Sequence, residues 1–438
     1  MLIYALPVLL GNIFQQVYNL ADTIIVGQCL GQNALAAVGT TGSLYFLVNG
    51  FVVGITSGFT VHVSQRFGAK DYDGMRNSMF NAVLLWVAIT IVMTLFAVIF
   101  ARPTLRLINT PDGIIDDAYT YIVTIYAGIL APMLYNGASC ILRAVGDSKT
   151  PLYFLIVSAA LNIGMDLLFI MVFEMGVFGA ALATVIAQFI SGMLCIIYMI
   201  IKFPILHLRR DDLYLNRQVI AAHLKIGLPM AFQFSITAIG TIILQGAINM
   251  FGEVKIAAYT AASKTEQLVT QIAGAAGVTT ANFVGQNTGA GQYARIRKGV
   301  RQWSFVTIAG AVFAMAVIFF FGRDICGLFI QGKDPVTLDA SMIYLNTVVV
   351  FFIPLFLIFI FRNALQAMGK TFMPLMAGVF ELAARTVVSF TLPSVIGFQG
   401  VCLAGPIAWV CAMLPLFITY LVYMRIFKKK GYFKVQEG

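Results

Sequence analysis

The chain is divided into apolar stretches long enough to cross a lipid bilayer, and this division constrains the fold before any single residue does. About 30 Å of hydrocarbon takes roughly 20 residues of helix at 1.5 Å per residue. Such stretches lie near residues 3–29, 34–64, 78–101, 117–143, 150–172 and 176–201, then near 223–251, 256–286, 298–322, 338–366, 371–396 and 400–425. They predict an all-α integral membrane protein with twelve transmembrane helices in two pseudo-symmetric six-helix bundles. Only 11% of the 438 residues are charged and 60% are hydrophobic, against about 25% charged in a soluble domain. The expected division is a first lobe at 1–201, a cytoplasmic connection at 202–222, a second lobe at 223–425 and a basic cytoplasmic tail at 426–438. The N-terminus has no basic n-region and its apolar run is too long and polar-striped for a signal peptide, so the first helix is expected to remain in the mature protein.

The net charge of +10 does not point to nucleic acid, because the basic residues sort by alternate loops. One side carries 21 Lys and Arg, among them Arg66, Arg76, Arg143, Arg209, Arg297, Arg362, the run Lys428 to Lys430, and Lys434; the other carries only Arg102, Arg106, Lys255, Arg323 and Lys333. The positive-inside rule then puts both termini in the cytoplasm, with the lysine run anchoring to the anionic inner leaflet of a cytoplasmic membrane. Six single cysteines with no CxxC, and three histidines outside ligand spacing, predict free, buried thiols and no structural metal.

The two halves repeat. Gln65, Gly68, Ala69, Tyr72 and Arg76 match Gln286, Gly289, Ala290, Tyr293 and Arg297 at an offset of 221, and Ala144, Gly146 and Pro151 match Ala367, Gly369 and Pro374 at 223. Two six-helix repeats of like orientation suit a transporter in which the halves rock about a central site.

Asp22 is the one formally charged side chain among the first 65 residues. It ends a polar stripe of Asn12, Gln15, Gln16, Asn19 and Asp22/Thr23 at helical spacing. A carboxylate in mid-span costs about 2.5–3.5 kcal/mol, so it is expected to face protein or a watery cavity and to be functional; the bland alternative is a bond to a neighbouring helix. Asn162 and Asp166 share a face at i, i+4, and Thr184 on the next, antiparallel helix comes level with them. These oxygens suit a hard monovalent cation, or a carboxylate pair that takes up a proton.

The second half differs. Ile243 or Leu244 stands opposite Asp22, and Glu381, Arg385 and Ser389 take the places of Ser158, Asn162 and Asp166. Glu381 and Arg385, at i, i+4, are expected to pair; Lys264 and Glu266, two apart, are expected to find partners elsewhere, Glu381 or Arg385 among the candidates. Gln15, Gln16, Asn19, Gln233, Thr237, Glu266, Glu381 and Arg385 are candidates for a substrate cavity. The stretch from Ala364 to Thr371 lacks the leading glycine of a P-loop, and no HExxH or GxSxG occurs. The chain is therefore not expected to be an enzyme or to need a cofactor, and an ion gradient is expected to supply its energy.

At this point the chain resembles the multidrug and toxic compound extrusion (MATE) family. The resemblance rests on Pro7 and Asp22, on VGQCLGQNALAAVG, on Asn162 with Asp166, on Thr184 within GAALAT, and on FVGQNTGAGQYARIRKG. It implies two six-helix lobes facing each other in a V, and efflux of organic cations in exchange for H⁺ or Na⁺. Carried over residue by residue, the family's first-lobe cation site, with Na⁺ one candidate occupant, falls on Asp22, Asn162, Asp166 and Thr184. Pro7 matches the proline near which the first helix bends in some members. The implied partners are small organic cations and the bilayer, with no nucleic acid and no obligate protein partner, so a monomer is expected. A flippase for a lipid-linked precursor is the alternative; it would want a cavity lined with Arg and Lys, and only Lys264 and Arg385 are expected in mid-span. An intramembrane enzyme is a weaker rival.

Overall fold

A computed structural model describes residues 1–108, 110–330 and 334–433. Lys333, Lys434 and the rest of the tail beyond 433 lie outside the described residues. The described chain forms twelve long helices, several of them broken. They are α1 (Leu2–Leu30), α2 (Gln32–Gly68), α3 (Tyr72–Leu107), α4 (Ile115–Ala127 with Leu130–Ala144), α5 (Lys149–Leu167, continued by a π-helical turn Leu168–Val172) and α6 (Gly176–Lys202). After them come α7 (Arg217–Asn249), α8 (Glu253–Gly289), α9 (Tyr293–Gly327), α10 (Pro335–Val349 with Phe352–Ala367), α11 (Phe372–Thr391 with Pro393–Ile396) and α12 (Phe398–Cys402 with Ala404–Lys429).

Eight of the twelve are long and apolar enough to span a membrane singly, and α4 and α10 qualify as pairs bent by 45° and 51°. The other two, α1 and α8, have 29 and 37 residues and are diluted by polar side chains, Asn12 to Asp22 in α1 and Lys264 to Gln271 in α8. Their composition is what a helix facing a polar interior needs. The protein is a multi-pass membrane protein.

The repeat extends to the backbone. Positive φ occurs at Gly31 and Gly252, at Lys70 and Gly291, at Gly146 and Gly369, and at Gly176 and Gly397, so the turns between helices recur at the offsets seen in the sequence. Asp71 caps α3, its Oδ1 accepting from the Gly74 amide at 2.9 Å and its Oδ2 from Arg66 at 2.6 Å. These bonds, the Gly74 amide first, hold its carboxyl below the usual range, so the cap is intact above about pH 4 and weakens as the carboxyl protonates in acid. Gln292, its counterpart, leaves α9 without a side-chain cap.

Two compact units result, residues 6–231 and residues 232–438 with 1–5, and the division falls inside α7. The first unit has a core including Ile55, Phe59, Met75, Ile122 and Met133. Within it α2 and the start of α7 approach so closely that a Cβ on Gly58 would lie 2.4 Å from the Gly227 Cα. The second unit's core includes Ile296, Phe352 and Phe356.

Residues 203–216, the expected connection between lobes, are fastened to α3 of the first unit. Arg76 Nε donates to Asp212 Oδ2 at 2.7 Å with both side chains buried, and Arg76 also pairs with exposed Asp73. Asn77 Nδ2 donates to the carbonyls of Asp212 and Tyr214, both at 2.9 Å, and Asn81 Oδ1 accepts from the Asn216 amide at 3.2 Å. Nearby, the Ser78 hydroxyl lies between His62 Nδ1 at 2.9 Å and His223 Nε2 at 3.1 Å, linking α2, α3 and α7. Arg76, counted among the loop charges, is thus a buried ion-paired side chain. The cysteines are not all buried as expected: Cys29 and Cys411 are exposed, on helix faces that the apolar spans turn outward.

Asp212→Ala is expected to leave Arg76 with Asp73 alone. Orphaning a buried charge costs about 3–5 kcal/mol, less whatever Asp73 recovers. Limited proteolysis of the detergent-solubilised protein should cut between 203 and 216 sooner than in wild type, with a lower melting temperature.

Candidate functional site

The acids of the first unit converge. Asp22 (α1) is 9% exposed, Asn162 and Asp166 (α5) are 0%, and Thr184 (α6) is 7%. Asn162 Nδ2 donates to Thr184 Oγ1 at 3.3 Å, so the two helices meet at the level that the i, i+4 spacing and the short 174–176 turn predict. The Asp22 and Asp166 carboxylates lie close enough to act on each other electrostatically. Two ionised carboxylates repel and cannot donate to one another, so a proton or a cation is the kind of group that would stabilise the pair. Oδ1 of Asp22, both oxygens of Asp166 and Oδ1 of Asn162 have no donor from the protein. The α-helix of α5 widens into its π turn one residue beyond Asp166 and Leu167, a local rearrangement frequent at functional positions.

The polar stripe of α1 is split rather than presented as one face. Asp22 is buried, Gln15 and Gln16 are half-buried, and Asn19 and Thr23 are exposed, the Thr23 hydroxyl donating to the Asn19 carbonyl at 2.8 Å. Gln15 lines a recess of about 20 Å³ with Tyr18, Asn49, Asn136, Ser158 and Gln188, enough for one water-sized group. Three tyrosines outside the candidates drawn from sequence, Tyr18, Tyr45 and Tyr121, are close enough to interact electrostatically with Asp22. For Tyr18 a signal was present, because it stands one helical turn before Asp22. Pro7 is buried, and α1 runs through it without a break; its missing N–H leaves the Ile3 carbonyl without its usual helical donor.

The second unit has a different centre. Glu381 Oε1 accepts from Arg385 Nη2 at 2.9 Å, the expected i, i+4 pair, while Oε2 accepts from Arg362 Nη2 at 3.2 Å. Arg362, placed with the loop charges from sequence, is a correction: it lies more than a turn inside α10 and is 8% exposed. One turn on, Gln366 Nε2 donates to Gln233 Oε1 at 2.7 Å, and the Thr237 hydroxyl donates to the Gln233 carbonyl at 3.0 Å. Glu266 takes its hydrogen bond from the Tyr344 hydroxyl at 2.5 Å, not from Glu381 or Arg385 as the sequence suggested; Arg385 acts on it only electrostatically. Lys264 is exposed.

Known proteins resemble the chain over most of its length. The MatE family model matches residues 7–168 and 229–391, once in each half. The chain belongs to the MATE family. It is similar to the probable multidrug resistance protein YpnP of Bacillus subtilis, 28% identical over 84% of this chain and 82% of that one. It is also similar to the probable multidrug resistance protein YoeA of the same organism, 26% identical over 98% and 94%. A multidrug resistance MATE transporter solved in an outward-facing conformation superposes with a TM-score of 0.90 at 21% identity, covering 97% of this chain and 95% of that one. The fold is therefore the twelve-helix MATE fold, and MATE proteins are transporters, not enzymes.

Two substitutions test the two centres. Thr184→Val keeps the shape and removes the acceptor of Asn162, leaving a buried amide unsatisfied at about 1–3 kcal/mol; thermal unfolding in detergent should show the loss, with part recovered in Asn162→Leu/Thr184→Val. Glu381→Gln leaves two buried guanidiniums sharing a neutral group, about 3–5 kcal/mol, and should lower the melting temperature more than Thr184→Val does.

Proposed function

We propose that this MATE protein is a secondary active multidrug exporter of the cytoplasmic membrane, with both termini in the cytoplasm. It works as a monomer, exchanging organic, mostly lipophilic cationic compounds for H⁺ or Na⁺ by alternating access. The observation that carries the reading is the buried pair Asp22 and Asp166 beside Asn162 and Thr184. A proton shared by the carboxylates, or a Na⁺ held by their oxygens with those of Asn162 and Thr184, satisfies the same arrangement; hard oxygen donors suit either. Binding the external ion there neutralises the pair and weakens its hold on a cationic substrate, which then leaves outward. Gln15, Gln16, Asn19, Gln233, Thr237, Glu266, Glu381 and Arg385 are the proposed substrate contacts, and Pro7 the point at which α1 bends.

The energetics are sufficient. Moving one charge through ~150 mV supplies roughly 3.5 kcal/mol, from about 2.3 per 100 mV, which sustains a gradient of several hundredfold. The flippase alternative would want a cavity lined with several Arg and Lys; in the second unit Arg362 and Arg385 share the one carboxylate of Glu381, and Lys264 is exposed.

In proteoliposomes, a fluorescent lipophilic cation should move when a pH gradient or a Na⁺ gradient is imposed alone, and the gradient that drives it names the ion. Asp22→Asn should reduce this transport at least tenfold. A variant that transports like wild type would remove Asp22 from the coupling site; a wild type that responds to neither gradient would remove the antiporter reading.

A further inference from the structure

The first unit gathers acids, and at the equivalent positions the second unit gathers hydrogen-bond donors. On α11, Glu381, Arg385 and Ser389 follow at i, i+4 and i+8 and share one face. Arg385 is 5% exposed and Ser389 2%. The Glu381 carboxylate is fully engaged, one oxygen to each of two guanidiniums. The donors are not. Nε of Arg385, Nε of Arg362 and the Ser389 hydroxyl have no partner among the described residues.

The serine stands out from its neighbours. Helical hydroxyls in apolar surroundings commonly donate to the carbonyl one turn back. On the same helix Thr386 does so to Leu382 at 2.8 Å and Thr391 to Val387 at 2.7 Å. Ser389 leaves the Arg385 carbonyl unused and its own proton free. Across from it, Gly240 of α7 makes room for the guanidinium: a Cβ there would lie 2.8 Å from Arg385 Nη1. The other acid acting on Arg385 is Glu266, whose hydrogen bond comes from Tyr344. Two guanidiniums thus share one directly bonded carboxylate, and an N–H and an O–H remain one turn apart on one face.

We propose that Arg385 and Ser389 form a docking point for an anionic group, a carboxylate or a phosphate, on the transported molecule. The chemistry is that of a charge-assisted clip: an oxyanion takes one bond from Arg385 Nε and one from the Ser389 hydroxyl, and it supplies the second negative charge that the two guanidiniums lack. Zwitterions and acids bearing a flat apolar body then join lipophilic cations as substrates. The inference rests on the export reading above for the word substrate, and on the second unit alone for the binding site.

A matched pair of probes tests it: a rhodamine bearing a free benzoate, and its methyl ester, which keeps the cationic ring system and loses the anion. Fluorescence anisotropy on the purified full-length protein gives the affinity for each. Wild type is expected to favour the free acid, and that preference should fall about tenfold in Arg385→Gln and in Ser389→Ala, as the loss of a bond to a charged group predicts. Arg385→Gln could disturb the fold, which its melting temperature would reveal; Ser389→Ala removes one hydroxyl with no protein partner and carries the test by itself. A wild type that favours the ester, or a preference unchanged in Ser389→Ala, overturns the proposal. Dye movement in proteoliposomes separates the two readings. Export of the ester with no acid preference sinks the docking point and leaves the export reading standing. The expected fall in preference, in a protein that moves neither dye, keeps the binding site and sinks the export reading.

Discussion

Charge placed within hydrocarbon must be compensated locally, and the interior of this protein is organised by how each charge meets that requirement. Even on the lowest scales a charged side chain in mid-membrane costs about 2.5–3.5 kcal/mol. Arg76, buried near the start of α3 rather than in mid-membrane, is compensated in the same way by Asp212, and the bond ties the inter-lobe segment to α3. Glu381 meets it through Arg362 and Arg385, joining α10 to α11. Asp22 and Asp166 meet it through neither arginine nor lysine: the group facing each is the other acid. That pair is the centre at which ion coupling is proposed.

The surroundings of that centre follow from the same demand. Asn162 spends its amide donor on Thr184, which joins α5 to α6, and its side-chain oxygen has no donor among the described residues. Tyr18, Tyr45 and Tyr121 add polarisable, neutral walls, so no fixed positive charge competes with an incoming ion. A lysine at any of those three positions would close the site permanently by pairing with the acids.

Much of this was legible in the residues. The apolar spans, the repeat offsets, the Asn162, Asp166 and Thr184 convergence and the Glu381–Arg385 pair all follow from helical periodicity, which is a local property. The errors share a cause, since each depended on tertiary direction. Arg362 looked like a loop charge because it stands near the end of an apolar span, and only packing against α11 shows that it turns inward. The α1 stripe looked like one face, yet over residues 12–26 a 3.6-residue period buries Tyr18, Asp22 and Val26 while Asn19 and Thr23 turn out. Glu266 found Tyr344, 78 residues away, a pairing no spacing rule reaches. The tyrosines near Asp22 were hidden because an aromatic in a membrane span reads as bulk until its hydroxyl is located.

The duplication shows which features a membrane fold holds fixed and which it releases. Turn positions recur to the residue, down to the left-handed backbone at Gly31 and Gly252 or Gly176 and Gly397, because the helix lengths between them must keep matching the bilayer. Side chains on the inner faces answer to a weaker rule, that buried charge balance within each unit. Ser158, Asn162 and Asp166 on one helix and Glu381, Arg385 and Ser389 on its repeat both obey it, by opposite routes. One unit sets two acids near each other; the other places two guanidiniums on one carboxylate. A duplicated gene freed from making two identical sites can in this way divide the labour, with the proposed coupling at the acidic centre of one unit and the proposed recognition of anionic groups at the arginine-bearing centre of the other.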